Sequence, residues 1–285
     1  MKIVVIGARG QLGQDLMREL RGELIGLDHQ DFDVTDGVTV SQTLETLRPD
    51  WVVNTAGFHR VDECEINPRL SFGVNALGAG DVARVCARIG SRLLFCSTDY
   101  VFGGASRGPG SPYTETDAPD PVNVYGISKA AGERLVLHAH PGALIVRASG
   151  LYGMSTSKKG WTFPELMLQL AATCPLVRVV DDQVLSPTNT LDLARTMRTL
   201  IDEGHSGIYH VVNDGECSWY EFARATFELT RTAANLEPQT TEEAGRRARR
   251  PAYSAMASRA LPAPLRHWRE ALADYLRQKG RLAPA

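Results

Sequence analysis

The chain has 285 residues, of which 43% are hydrophobic and 22% charged, the balance of an ordinary globular protein with material for one large domain or two modest ones. A formal net charge of −2 leaves no overall positive field to hold nucleic acid or an anionic membrane, and no apolar run approaches the roughly eighteen residues a spanning helix needs, so neither is expected as a partner. Five scattered cysteines (Cys64, Cys86, Cys96, Cys174 and Cys217) form no C-x-x-C pair, which argues against a disulfide framework or a zinc site and for a reducing, cytoplasmic setting.

Residues 2–6 are a β-branched run closed by Gly7, too short for the core of a secretory signal. Residues 11–20 then show helical spacing through Leu12, Leu16 and Leu20. Further buried strands are predicted over 24–27, 51–54, 92–97 and 143–146, with long helices over 70–89 and 124–138. Strands separated by helices of this length predict an α/β fold, a Rossmann-like doubly wound parallel sheet with helices on both faces. After about Gly150 the rhythm changes. A loop over 155–160 precedes a helix over 163–172, a strand over 176–180, a helix over 192–201, a strand over 207–212 and a helix over 220–229. The proline- and arginine-rich stretch 246–264 reads as irregular, and a helix over 268–278 ends the pattern. This predicts a dinucleotide-binding Rossmann domain over 1–150 and a smaller, mainly substrate-binding lobe over 151–285, with some segments returning to the sheet.

Between the first strand and first helix stands Gly7-Ala8-Arg9-Gly10-Gln11-Leu12-Gly13. Glycine permits the tight turn at 7, close approach of backbone to a pyrophosphate at 10, and close helix–strand packing at 13. N–H groups at the helix start, together with its dipole, would hold the phosphates. Asp28 ends the second strand, where an acidic residue hydrogen-bonds a ribose 2′-hydroxyl and favours NADH; Arg9 stands where a guanidinium reaches a 2′-phosphate and favours NADPH. The preference between the two cofactors stays open.

Tyr125 and Lys129 are four apart in a helical stretch and project from one face. A free phenol titrates near ~10, so a neighbouring ammonium is expected to bring it toward working pH. Hydride reduction of a ketone develops alkoxide charge, which a phenolic proton quenches. Thr98, at the carboxyl end of the fourth strand, is placed to hydrogen-bond the same carbonyl oxygen. No cluster of His, Cys and carboxylate has metal-ligand spacing.

These motifs resemble the extended short-chain dehydrogenase/reductases and, more narrowly, the dTDP-4-dehydrorhamnose reductases. The resemblance runs through GARGQLG at 7–13, VNTAGFHRVDECE at 53–65, Val74-Asn75-Ala76, STDYVF at 97–102, YGISKAAGE at 125–133, RASGLYG at 147–153, DDQVLSPT at 181–188 and RRPAYS at 249–254. It implies Tyr125 as proton donor, Lys129 on the nicotinamide ribose and Thr98 tuning the proton transfer. It also implies Gly10, Gln11 and Leu12 on the pyrophosphate, Asp28 on the adenosine ribose, Asp33 and Val34 on the adenine, and Ala56, Gly57 and Phe58 flanking the dinucleotide. A nucleotide-sugar substrate is implied near Thr98, Asp99, Tyr100, Tyr125 and Gly150, with Arg250 a candidate for its diphosphate. Three departures touch the sugar side: Gly150 stands where the family often has tryptophan, Trp161-Thr162-Phe163 where it often has Gly-Asn-Phe, and His59-Arg60 where small residues are usual. The implied reaction is NADPH- or NADH-dependent reduction of the 4-keto group of a nucleotide-activated 6-deoxysugar, with a homodimer as the candidate assembly and the oligomeric state left open. Two other readings stay open at this point: a nucleotide-sugar epimerase or dehydratase on the same scaffold, and a non-catalytic regulatory subunit similar to the methionine adenosyltransferase β subunit.

Overall fold

In the computed structural model, which describes residues 1–105, 107–155 and 160–282, the first half alternates strand and helix. In chain order it comprises β1 (Lys2–Ile6), α1 (Gln11–Glu19), β2 (Glu23–Leu27), α2 (Gly37–Leu47), β3 (Trp51–Asn54), α3 (Val61–Ile66), α4 (Pro68–Phe72), α5 (Ala79–Ile89), β4 (Arg92–Thr98), α6 (Val124–Ala139) and β5 (Leu144–Ala148). The strands are near-continuous runs of Val, Ile and Leu because both their faces are covered. Where one helix is predicted over 70–89, a π-helical turn, Gly73–Gly78, separates α4 from α5. Gly78 lets the backbone between β2 and α2 approach, since a Cβ there would stand 2.5 Å from the Val34 carbonyl oxygen. The turn also aims the Asn75 side chain at the loop after β3.

The second half contains β6 (Leu151–Tyr152), α7 (Phe163–Thr173), β7 (Val177–Val180), β8 (Val184–Leu185), β9 (Thr188–Asn189), α8 (Thr190–Asp202), β10 (Gly207–His210), β11 (Cys217–Ser218), α9 (Trp219–Thr230), β12 (Leu236–Gln239) and α10 (Trp268–Gln278). Of the loop predicted over 155–160, residues 156–159 lie outside the described residues. The two-residue strands β6, β8, β9 and β11 are too short to show a period-2 pattern, so they carry no sequence signal.

Six parallel strands form the main sheet in the order β10-β5-β4-β3-β1-β2. The chain winds from β1 to β2 on one side and then returns to place β3 on the other, so the direction of winding reverses between β1 and β3. A crevice opens beyond the carboxyl ends at such a reversal. One face of the sheet buries Ile3, Val5, Leu12, Leu16, Leu193 and Met197 together, so α8 packs beside α1. The Thr190 hydroxyl reinforces that contact by donating to the buried Asp15 carboxylate at 2.6 Å. The other face buries Val4, Val40, Leu44, Val82 and Cys86 beneath α2 and α5. Although α8 and β10 come from the second half, both belong to the sheet's layers. The remaining second-half elements pack around Tyr152, Phe222, Trp268 and Tyr275, with Trp219 against Phe163 at a ring separation of 4.7 Å. Trp219 is thus a packing residue, and all five cysteines are free thiols. Among the described residues no helix is long and apolar enough to cross a membrane.

Candidate dinucleotide and proton-transfer site

The residues expected to hold a dinucleotide come from three consecutive strand ends on one edge of the sheet. β1 runs directly into Gly7, whose φ of +85° is left-handed and whose Cβ would meet the Thr55 hydroxyl at 2.6 Å. A Cβ at Gly13 would lie 2.1 Å from the Gly7 carbonyl oxygen, so α1 can rest on the loop only because that position has no side chain. Gly10 is the N-cap of α1 and supplies no capping side chain. Leu12 turns its side chain into the core and contributes backbone alone. The Gln11 side-chain amide nitrogen is buried with no hydrogen-bond partner among the described residues. Uncapped N–H groups, a buried unpaired donor and glycine walls are what a dinucleotide pyrophosphate requires, and the cradle fits that group.

Asp28, just after β2, lies 3.6 Å from the Arg9 guanidinium. The two residues with opposite implications for a ribose 2′ substituent therefore face each other, with the Arg9 side chain 69% exposed and that of Asp28 19%. Asp33 accepts from the Thr35 amide at 2.9 Å and its hydroxyl at 2.8 Å, shaping the turn before α2, while the Val34 side chain is buried in the core beneath α2 and α5. After β3, Ala56 donates its N–H to Asn54 at 3.0 Å, and Gly57 is exposed. The amide of Asn75 then clamps Phe58 from both sides: its oxygen accepts from the Phe58 N–H at 2.8 Å and its nitrogen donates to the Phe58 carbonyl at 3.0 Å. The same nitrogen reaches the Ser128 hydroxyl at 3.0 Å, and Ser128 donates to the Tyr125 carbonyl at 2.7 Å, so this loop is tied to α6.

Tyr125 lies in the first turn of α6, which Asn123 caps by accepting from the Gly126 N–H at 2.8 Å. Gly126 has no room for a Cβ, which would stand 2.1 Å from the Tyr100 carbonyl oxygen, so the start of α6 presses against the end of β4. The Thr98 side chain, at the end of β4, lies near enough to the Tyr125 hydroxyl to favour its ionised form. One turn on, the Lys129 ammonium donates to the Cys96 carbonyl at 2.6 Å and lies 4.0 Å from the centre of the Phe95 ring. Thr98 and Cys96 are two apart on β4, so phenol and ammonium converge on one strand end. Burial brings Lys129 down from the ordinary lysine value to about 8, against an opposing effect of the Cys96 and Glu133 side chains. Tyr125 differs from expectation. Burial pushes its phenol up, the Asp99 carboxylate adds to the rise, and only the Thr98 side chain opposes it. The phenol keeps its proton in this site because burial disfavours the charged phenolate.

The residues expected on the substrate side fall differently. Tyr100 packs its ring edge-on to Tyr125 at 5.6 Å. Asp99 is buried, with both carboxyl oxygens taken by protein hydroxyls: Thr98 at 3.0 Å, Ser149 at 2.8 Å and Ser254 at 2.6 Å. Gly150 has a φ of +54°, and its missing Cβ would lie 2.6 Å from the Leu185 side chain. Leu185 thus fills the space behind it, and no side chain projects from this position. Arg250 is not a free guanidinium. It pairs with Asp62 at 3.1 Å and donates to the Ala248 carbonyl at 3.4 Å, its side chain only 13% exposed. Arg246, Arg247 and Arg249 are the exposed members of that run.

Sequence reasoning missed the supports. Glu133 and Arg147 form a buried bidentate pair at 2.9 and 2.7 Å, and Ser97, next to Thr98, donates to the same Glu133 oxygen at 2.5 Å. Arg147 also contacts His210 at 3.3 Å, and burial with that positive neighbour takes the imidazole down to about 4, leaving it neutral. Asn75, Glu133, Arg147, Ser149 and Ser254 all stand inside motifs quoted above, which is the signal that could have found them. No group of His, Cys and carboxylates among the described residues could hold a metal ion.

A parallel sheet whose glycine cradle and Tyr–Lys helix meet at one carboxyl edge is the architecture of the extended short-chain dehydrogenase/reductases. The sequence profile of the RmlD substrate binding domain matches residues 1–280. The chain belongs to the dTDP-4-dehydrorhamnose reductase family. It is 40% identical over 285 residues to the dTDP-4-dehydrorhamnose reductase of Mycobacterium tuberculosis (strain H37Rv), covering 96% of this chain and 92% of that protein. It is 41% identical over 284 residues to the spore coat polysaccharide biosynthesis protein SpsK of Bacillus subtilis (strain 168), covering 98% of each. The crystal structure of dTDP-4-dehydrorhamnose reductase from Bacillus anthracis in complex with NADP superposes with a TM-score of 0.92 at 36% identity, covering 97% of this chain and 99% of that one.

Proposed function

We propose that this protein reduces the 4-keto group of a nucleotide-activated 6-deoxyhexose with NADPH or NADH, acting as a dTDP-4-dehydrorhamnose reductase. The observation that carries this reading is the convergence of Tyr125 and Lys129 from one helix on the end of β4, beside a cradle that fits a dinucleotide pyrophosphate. The bound coenzyme supplies the hydride that adds to the carbonyl carbon. Tyr125 supplies the proton that the carbonyl oxygen takes up as its π bond breaks, and its buried, protonated phenol suits a donor. Lys129 places positive charge one turn away, where the resulting phenolate forms. Gly7, Arg9, Gly10, Gln11, Leu12, Gly13, Asp28, Asp33, Val34 and the 56–58 loop line the dinucleotide side, so the first 150 residues hold the coenzyme. The second half contributes most of the sugar side. Relatives bearing the name dTDP-4-dehydrorhamnose reductase, 40% and 36% identical over nearly the whole chain, support this assignment.

The test follows oxidation of NADPH and NADH with dTDP-4-keto-6-deoxy-L-mannose. Tyr125→Phe should lower kcat by on the order of 10² to 10⁴, the usual contribution of a positioned general acid. Full turnover by Tyr125→Phe, or no keto-sugar-dependent oxidation by the wild type, would overturn the assignment.

A further inference from the structure

A row of polar side chains crosses the buried face of the main sheet beneath α6. Ser97 on β4 is the register partner of Arg147 on β5, and Arg147 is the register partner of His210 on β10, so the three stand side by side. Glu133 reaches the row from α6. Its Oε1 accepts from the Ser97 hydroxyl at 2.5 Å and from Arg147 Nε at 2.9 Å, and its Oε2 accepts from Arg147 Nη2 at 2.7 Å. His210 closes the far end. Its Nδ1 lies 3.1 Å from both the Tyr113 and the Ala257 carbonyl oxygens, so Nδ1 carries the ring proton. Nε2 is then left to accept from Arg147 Nη1 at 3.3 Å. All four residues are buried. A buried ion pair of this kind adds little stability over apolar residues of the same volume, so its place in the fold needs another reason.

The near end of the row supplies one. Ser97 follows Cys96, whose carbonyl accepts from the Lys129 ammonium at 2.6 Å, and it precedes Thr98. Glu133 stands four residues beyond Lys129, one turn along the same face of α6. We propose that Glu133 is a positioning residue for Lys129: through Ser97 it fixes the end of β4 that presents the Cys96 carbonyl to the ammonium, and its carboxylate balances that ammonium from the next turn. This rests on the reading of Lys129 as the cation of the reductase site. Arg147 in turn holds both Glu133 oxygens, and His210 ties Arg147 to the carbonyl of Ala257 in the second half of the chain. The groups that face Lys129 are the Cys96 side chain on β4 and Glu133 on α6, with Tyr125 one turn earlier and Arg147 beyond Glu133. Burial favours the neutral amine, and the Cys96 and Glu133 side chains oppose that. Removing the Glu133 charge therefore moves loss of the Lys129 proton to lower pH.

The experiment compares wild type, Glu133→Gln, the double variant Glu133→Gln/Arg147→Gln, Ser97→Ala and Ser97→Thr. It follows kcat/KM against pH, and the titration of the Lys129 ε-carbon by NMR in the coenzyme-free protein. Loss of one nearby opposite charge moves a titration by about one unit. With Lys129 titrating at about 8 in the wild type, Glu133→Gln should stay within about twofold of wild type near pH 6 and fall about tenfold below it near pH 9. Its NMR midpoint should drop to match. The double variant leaves neither charge buried alone and should shift both readouts in the same direction. Ser97→Ala, which keeps the ion pair, should show the same pH-dependent pattern at about threefold, the value of one hydrogen bond. Ser97→Thr keeps the hydroxyl and should restore it. Should the Glu133 variants fail to fold, Ser97→Ala and Ser97→Thr decide the matter by themselves. A loss that is uniform in pH, or a lowered urea midpoint with the Lys129 titration unmoved, would show that the row only staples α6 to the sheet and would overturn the proposal. The NMR titration needs no turnover, so a wild type that fails to reduce the keto-sugar, or full activity in Tyr125→Phe, would count against the reductase reading instead.

Discussion

Lys129 is a buried cation whose charge is carried by a carbonyl and an aromatic face, with no carboxylate bonded to it. Desolvation disfavours its charged form, so proton loss comes near about 8, well below the ordinary lysine value. The sign follows directly: raising the pH through this value removes the ammonium that sits near the site of phenolate formation. The pH dependence of kcat/KM should therefore show a basic limb near pH 8, falling roughly tenfold per unit beyond it, because that parameter reports the free enzyme's groups. A profile flat into the range of ordinary lysine titration would mean that Lys129 does not carry the charge that matters. Tyr125 is held above its ordinary value by burial and contributes no limb in that range. Both directions depend on depth and neighbours. The four-residue spacing shows that phenol and ammonium share a helix face, but it is silent about which carbonyl the ammonium binds.

At the scale of elements, α6 is the part on which the site depends, and glycine decides how closely it lies. A Cβ at Gly132 would fall 2.1 Å from the Asn75 carbonyl oxygen and 3.3 Å from the Phe95 ring. Gly132→Ala must therefore push α6 away from the π-helical turn, and overpacking of this kind costs about 2 kcal/mol. Urea denaturation should show a lower midpoint at an unchanged slope, together with weaker NADPH binding because Asn75 also clamps the Phe58 loop. An unchanged midpoint would show that the helix yields without cost. The π-helical turn itself was not legible. Hydrophobic periodicity over 70–89 reads as one helix, whereas the turn responds to contacts made by Asn75 and Gly78 with segments distant in sequence. The Glu133–Arg147 pair was hidden for the same reason: its two members lie on α6 and β5, 14 positions apart, and meet only across the sheet.

The whole molecule unfolds as one body if its layers are shared as they appear here. α8 supplies Leu193, Ala194 and Met197 to the core that α1 lines with Leu12 and Leu16, and β10 pairs along β5 from Gly207↔Leu144 to His210↔Arg147. An excised fragment of residues 1–150 would expose that apolar face and leave β5 as a bare edge. It should show no cooperative thermal transition, whereas the full chain should give coincident transitions by circular dichroism and tryptophan fluorescence. A fragment that melts cooperatively would show that the first half needs no partner. What the sequence determined by itself was local: the β-α alternation, the glycine turn, the helix face bearing Tyr125 and Lys129. Each depends on residues within about one turn or one strand of each other, where spacing is enough to specify geometry. Tertiary structure alone decided that Arg9 faces Asp28, that Arg250 is committed to Asp62, and that Asp99 answers to Ser254. Those outcomes turn on which buried polar groups meet across the fold, since a group removed from water must find its partner wherever the chain brings one.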